Sequence, residues 1–208
     1  WEEHGRLMVQ SEDRLIDLPP PGLFGAHQFA NAGLAVAAVL ALGDPRLDEA
    51  AMRAGVASAV WPGRFQRLAG GPLAERAAET DLWIDGAHNP HAGHALADAC
   101  ARLAARDGRP VALIVGMLGR KDASGFFAAF SDLSPRVFAT GFASPSATPA
   151  ETLVAAARTQ GLEAEAADGV EDALARALRL PGPPHVVICG SLHFIGDVLA
   201  LSQDTWPT

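Results

Sequence analysis

The sequence predicts an α/β protein, a mostly parallel β-sheet with helices on both faces. Two observations carry this prediction. Short apolar runs alternate with alanine-rich stretches of helical character over the second part of the chain, and these runs are apolar on both sides. The composition agrees, because 49% of the 208 residues are hydrophobic and 19% are charged, which is typical of a folded domain.

The first part of the chain has a different pattern. Short apolar runs on either side of Ser11-Glu12-Asp13 predict a β-hairpin with strands near Leu7–Val9 and Arg14–Ile16. The nearly continuous apolar band from Ala26 to Leu42 predicts a helix that is buried on most sides, and Leu47 to Val60 predicts a second, amphipathic helix.

The triplet Trp61-Pro62-Gly63 marks a boundary, and we expect two domains, residues 1–62 and 63–208. Beyond the boundary, strands are predicted near Phe65–Leu68, Leu82–Ile84, Val111–Val115, Val137–Ala139, Leu162–Ala166 and Val186–Cys189, and helices near His91–Arg106, Ser124–Phe130, Pro149–Gln160 and Val170–Leu180.

The charge balance and the cysteines restrict the partners and the compartment. The chain has 16 Lys and Arg against 24 Asp and Glu, a net charge of −8, which disfavours nonspecific binding to nucleic acid or an anionic membrane. The longest apolar stretch contains His27, Gln28 and Asn31, so no transmembrane helix is expected. Cys100 and Cys189 lie in separate apolar runs and are interpreted as buried free thiols. We therefore expect a cytoplasmic monomer.

Ligands bind at the carboxyl ends of the strands in such sheets, so the turns after the predicted strands are candidate sites. Asp85 ends one strand and is followed by His88, Asn89 and Pro90 at the start of a helix. An acid in this position is able to accept hydrogen bonds from a ribose, and a helix start binds anions. The alternative is an ordinary helix cap by Asp85 or Asn89 with Pro90 as the first helical residue.

Further candidates lie in the same turns. His88, His91 and His94 are three residues apart, but no nearby Cys or carboxylate completes a zinc site, and His88 is interpreted as a substrate-site residue. Ser191 follows a strand but lacks the G-x-S-x-G pattern of a nucleophile, so helix capping or a small-ligand role is favoured.

Two basic positions are also candidates. Arg64 lies at the domain junction, where a guanidinium is able to contact a nucleotide. The pair Lys121-Asp122 fits either a surface turn or a site. The sequence contains neither a G-x-x-x-x-G-K-[ST] nor a G-x-G-x-x-G motif, so a phosphate-binding loop is missing.

Five motifs in order resemble the folylpolyglutamate synthases and bifunctional dihydrofolate synthases of the Mur ligase superfamily. Together they extend over nearly the whole chain: Gly25-Ala26-His27-Gln28-Phe29-Ala30-Asn31-Ala32, Pro62-Gly63-Arg64-Phe65-Gln66, Asp85-Gly86-Ala87-His88-Asn89-Pro90-His91, Gly116-Met117-Leu118 with Lys121-Asp122, and Cys189-Gly190-Ser191-Leu192-His193.

The resemblance implies a Rossmann-like carboxyl-terminal glutamate ligase domain, preceded by the hairpin and helices that end a Mur-ligase-type central ATP-binding domain. It implies an ATP-dependent ligase that adds L-glutamate to dihydropteroate or a folyl-glutamate through an acyl phosphate. Magnesium ligands and the phosphate-binding loop are expected in a preceding part, so this chain alone is expected to be inactive. Closure of the two domains would keep water from the acyl phosphate.

The resemblance also assigns roles. Asn31 resembles the residue that contacts adenine, Arg64 the arginine that reaches the nucleotide, and Asp85 the carboxylate on the ribose. His88 and Ser191 resemble catalytic residues near the glutamate and the reacting centre. The loop Arg120-Lys121-Asp122 departs from the family pattern at Arg120, which leaves its role open.

Two other functions stay open. The chain fits a free-standing nucleotide-binding or regulatory module, which micromolar ATP binding by the isolated chain would favour. It also fits an amide ligase of the same superfamily that acts on a cell-wall precursor, although His27-Gln28 and Gly63-Arg64-Phe65-Gln66 favour the folate branch.

Overall fold

The computed structural model describes residues 1–11 and 14–205. Within it the chain forms two compact units, Trp1–Trp61 and Pro62–Thr208. None of the helices in the described parts of the chain has both the length and the hydrophobicity of a membrane span.

The first unit begins with a three-stranded antiparallel sheet of β1 (Glu2–Glu3), β2 (Arg6–Gln10) and β3 (Leu15–Leu18). The predicted hairpin is present between β2 and β3, and Glu12 and Asp13 of its predicted turn lie outside the described residues. Alternate residues face a small core, as a strand period of two requires: Leu7, Val9, Ile16 and Leu18 are buried.

Two helices complete this unit, α1 (His27–Leu42) and α2 (Glu49–Ser58). The prediction that the first helix is buried on most sides is wrong for this unit. Only Gln28 and Val36 of α1 are buried, and Leu34 is 74% exposed. The reason is that β2 packs against one face of the helix, where Val36 joins the small core, while the apolar band of the helix runs around most of its circumference.

The second unit contains the predicted, mostly parallel sheet. Its strand order is β4-β5-β9-β6-β7-β8, and every neighbouring pair is parallel except β4 with β5. The strands are β4 (Gln66–Arg67), β5 (Leu82–Ile84), β6 (Val111–Val115), β7 (Arg136–Thr140), β8 (Ala164–Ala167) and β9 (His185–Cys189).

Helices cover both faces of this sheet, as predicted. Along β6, Leu113 and Val115 face one apolar cluster and Ala112 and Ile114 face the other. The first cluster contains residues of α4 (Pro90–Asp107), α5 (Ala123–Ala128) and α6 (Ala150–Thr159), and the second those of α3 (Gly71–Arg76), α7 (Val170–Ala177) and α8 (Leu192–Leu199). The sequence did not predict α3, α8 or a short 3-10 helix at Gln203–Thr205.

Candidate nucleotide and substrate site

The loops that follow β5, β6, β7 and β9 meet at the carboxyl edge of the sheet. Backbone hydrogen bonds join them: the Gly190 N–H donates to the Ala87 carbonyl over 2.9 Å, and the Gly119 N–H donates to the Ser146 carbonyl over 2.8 Å. Because these bonds fix one loop to the next, side chains on different loops have fixed relative positions.

Asp85 lies directly after β5 and is half-buried. Its Oδ1 accepts a hydrogen bond from the Ala87 N–H over 2.7 Å, and its Oδ2 accepts one from the Phe65 N–H over 2.8 Å. The cap of α4 is a different residue, because Asn89 Oδ1 accepts from the Ala92 N–H over 2.9 Å and Pro90 is the first helical residue. Asp85 is therefore not needed as the helix cap.

Arg64 lies beside the Asp85 loop. A Cβ atom at position 86 would be 3.0 Å from Nη1 of Arg64 and 2.3 Å from Cδ2 of Leu192, so these two side chains lie directly against the backbone of the loop and would have to move to admit a larger residue. The Gly86 N–H also donates to the Gly63 carbonyl over 2.8 Å. The structure thus brings Arg64 and Asp85 to the same edge of the sheet.

His88 and Ser191 lie on two of the same loops. His88 is half-buried, and its Nδ1 is 2.8 Å from the Gly86 carbonyl, so a proton on Nδ1 leaves Nε2 as the acceptor. Ser191 is 4% exposed and begins α8, where its Oγ accepts from the His193 N–H over 3.1 Å. The prediction that Ser191 caps a helix is therefore confirmed. His91 and His94 are exposed on α4.

Asn31 belongs to the first unit, on α1. Its Nδ2 donates to Gln28 Oε1 over 3.0 Å, and Nε2 of the buried Gln28 is 2.9 Å from Nε2 of His27. This chain of contacts orients the exposed Asn31 amide at the rim of an apolar cavity of about 410 Å³ between α1 and α2.

The loop Arg120-Lys121-Asp122 fits a surface turn. Arg120 and Lys121 are exposed, and Asp122 caps α5 by accepting from the Gly125 N–H over 2.8 Å. Capping of α5 is thus a sufficient structural role for Asp122, and no ligand is needed to explain an aspartate at this position.

One cluster of three residues that could ligate a metal occurs among the described residues: Asp81, Asp107 and His185. The buried His185 ring lies 2.9 Å from Asp107 and 3.2 Å from Asp81, and its hydrogen bond to Asp107 holds the pKa of that carboxyl well below its usual value. Three guanidinium groups, those of Arg67, Arg106 and Arg109, also contact Asp81. This positive charge opposes a cation, so the cluster does not fit the expected magnesium.

Three contributors to this edge were not predicted as site residues. Phe65 contributes its backbone N–H to Asp85, Gln66 accepts a hydrogen bond from Gly63, and Leu192 packs over Gly86. Gly63 and Gly86 were the available signals, since a glycine beside a candidate arginine or aspartate indicates a close approach of another segment.

The fold is that of a Rossmann-like α/β domain, and sheets of this kind bind ligands at the carboxyl ends of their strands. Residues 63–192 match the family model described as Mur ligase, glutamate ligase domain. The chain belongs to this family.

Individual relatives are more specific. The dihydrofolate synthase/folylpolyglutamate synthase of Mycobacterium tuberculosis is 37% identical over 139 residues, 65% of this chain and 26% of that protein. The enzyme of the same name from Escherichia coli K12 is 31% identical over 169 residues, 81% of this chain and 37% of that protein.

Solved structures agree. E. coli FolC in complex with DHPP and ADP has a TM-score of 0.74 at 28% identity, over 92% of this chain and 42% of that one. A bifunctional folylpolyglutamate synthase/dihydrofolate synthase with Mn, AMPPNP and L-glutamate bound has a TM-score of 0.72 at 32% identity, over 92% of this chain and 43% of that one. The chain therefore spans less than half the length of these relatives.

Proposed function

We propose that this chain is the carboxyl-terminal part of an ATP-dependent ligase that joins L-glutamate to dihydropteroate or a folyl-glutamate. The single observation that carries the proposal is the placement of Arg64 beside the Asp85 loop, at the edge where such sheets bind ligands. The similarity to enzymes whose structures contain ADP, AMPPNP and L-glutamate supports the same substrates here.

In the proposed reaction, ATP transfers its γ-phosphoryl group to the carboxylate of the folate substrate, which gives an acyl phosphate and ADP. The amine of L-glutamate then attacks the acyl phosphate, an amide bond forms and phosphate leaves. Catalysis of this kind depends mainly on positioning and charge stabilisation. Arg64 contacts the nucleotide, Asp85 accepts from the ribose hydroxyls, and Asn31 contacts adenine. His88 and Ser191 act near the incoming glutamate.

We propose that residues 1–62 are the end of the ATP-binding central domain and residues 63–208 are the glutamate ligase domain. A phosphate-binding loop is not found in the 208 residues, and the ligands of the divalent metal, proposed to be Mg²⁺, are expected outside them. Because both cysteines are free thiols, a reducing compartment, the cytoplasm, remains the proposed location.

The 208-residue chain is expected to release no phosphate above background from ATP when L-glutamate and dihydropteroate or a folyl-glutamate are supplied. The reason is that the sequence contains no phosphate-binding loop motif to hold the transferred phosphoryl group. A coupled phosphate-release assay measures this, with the full-length ligase as the positive control. Sustained folate-dependent turnover by the isolated chain would show that the chemistry has been assigned to the wrong part of the protein.

In the full-length ligase, Asp85→Asn is expected to raise the KM for ATP about 10-fold or more, because a charged acceptor becomes neutral and the new NH2 group faces one of the two backbone N–H donors. Asp132→Asn, an exposed aspartate in the turn after α5, is the matched control and should leave this KM unchanged. Equal KM values for wild type and Asp85→Asn would remove Asp85 from the nucleotide site.

A further inference from the structure

The backbone on both sides of Arg64 is in the left-handed region. Gly63 has φ +71°, which glycine adopts freely, but Phe65 has φ +43°, which is unfavourable for an aromatic residue. Among the described residues, His4 and Ser134 are the other non-glycine residues with positive φ, and both are exposed, whereas Phe65 is 3% exposed. A strained and buried residue next to a site persists only when its surroundings hold it there.

Several contacts hold this segment from outside. The Phe65 N–H donates to Asp85, and the Phe65 ring stacks on Trp83 with centroids 4.9 Å apart and an interplanar angle of 18°. On the other side of Arg64, the Gly63 carbonyl accepts from the Gly86 N–H. The turn that carries Arg64 is thus attached at both ends to β5 and its loop.

Gln66 holds the segment from within. Its Oε1 accepts from the Gly63 N–H over 3.1 Å, so one side chain closes the turn around Arg64. Gln66 is also the first residue of β4, where it is paired with Ile84 of β5. The hydrogen bond therefore couples the start of the turn to the sheet.

We infer that Gln66 is a positioning residue, which acts through Gly63 to hold the Arg64 guanidinium in the orientation that meets the nucleotide. This inference rests on the proposed function. When the acceptor is lost, the Gly63 N–H loses its partner and Arg64 samples more orientations. Nucleotide binding must then order the turn, which lowers affinity without removing any group that contacts the nucleotide.

The first test measures the hydrogen bond itself, without any nucleotide. In the 208-residue chain, NMR amide exchange at Gly63 is expected to be about fivefold or more faster in Gln66→Leu than in wild type. Gln66→Glu keeps an acceptor oxygen and should stay close to wild type. The matched control is Gln160→Leu, which removes the hydrogen bond from Gln160 to Ser124 and should leave Gly63 exchange unchanged. Unchanged exchange in Gln66→Leu would overturn the inference.

The second test uses the full-length ligase. Gln66→Leu is expected to raise the KM for ATP about fivefold, with kcat and the KM for glutamate little changed, and Gln66→Glu should restore the KM. A Gln66→Leu enzyme with normal KM despite faster Gly63 exchange would overturn the positioning role. If Arg64→Ala also left the KM for ATP unchanged, the proposed function of this edge would fail, while the amide exchange would still report on the hydrogen bond.

Discussion

At the scale of single residues, the Asp85 carboxylate joins two segments of the chain. It accepts backbone hydrogen bonds from Phe65 and Ala87, and so it attaches the turn of Arg64 to the loop after β5. A carboxylate has about four acceptor positions, so one carboxylate is able to accept from backbone N–H groups and from sugar hydroxyls at the same time, as the proposed ribose contact requires.

The two cysteines give a testable prediction at this scale. Cys100 and Cys189 are fully buried, and burial together with the nearby charge of Asp85 raises the pKa of both thiols well above the usual value. Because the thiolate is the reactive form, both thiols should react with iodoacetamide at least about 100-fold more slowly in the folded chain than in denaturant. Mass spectrometry of the alkylated chain measures this. Rapid labelling of either cysteine in the folded chain would contradict the buried environment.

Elements were predictable where one local pattern decided them. The strands β5 and β6 were predicted with their observed bounds because each is a short apolar run between polar turns. Helix α8 was not predicted because its run follows β9 after only two residues, Gly190 and Ser191, and an apolar run does not distinguish strand from helix.

The sequence also selected part of the candidate site. The rule that ligands bind at the carboxyl ends of parallel strands selected the loop of Asp85, and the position at the domain junction, together with the family motifs, selected Arg64. The contacts of Gln66 with Gly63 and of Leu192 with Gly86 could not be predicted from the sequence, because they form only when β4, β5 and α8 pack together.

At the scale of elements, a prediction concerns the amino edge of the same sheet, where the end of α4 contacts the start of β9. Asp107 ends α4, where a negative charge is unfavourable to the helix dipole, but it contacts His185 at the start of β9. The pKa of Asp107 in the folded chain lies below its unfolded value of about 3.9. The charged carboxylate therefore stabilises the fold at pH values above about 3.9, and this stabilisation is lost as the pH falls from there through the folded pKa.

Urea unfolding as a function of pH tests this contribution. The wild-type midpoint should fall as the pH is lowered from about 6 to about 3, and Asp107→Asn should flatten that dependence. Asp98→Asn, which changes an exposed aspartate on the same helix, is the matched control and should behave as wild type. If Asp107→Asn had the same pH dependence as wild type, the contact with His185 would contribute nothing to stability.

At the scale of the whole molecule, each apolar core belongs to one unit. In the described parts of the chain, the cluster that contains Leu7 is drawn from the first unit, and the two clusters on the faces of the large sheet are drawn from the second. We therefore expect residues 62–208 to fold alone. Their free energy of unfolding should agree with that of the corresponding transition in the intact chain within about 10–15%, the uncertainty of linear extrapolation.

Two core variants make this prediction specific, because each changes one unit. Leu113→Ala should destabilise the excised unit and the corresponding transition of the intact chain equally, by about 2–5 kcal/mol. Leu7→Ala should leave that transition unchanged, since Leu7 is buried in the core of the first unit. A loss of cooperativity on excision, or a response of the Leu113 transition to Leu7→Ala, would mean that residues 1–61 contribute to the stability of the ligase domain. The proposed nucleotide site would then have to be studied only in the longer protein.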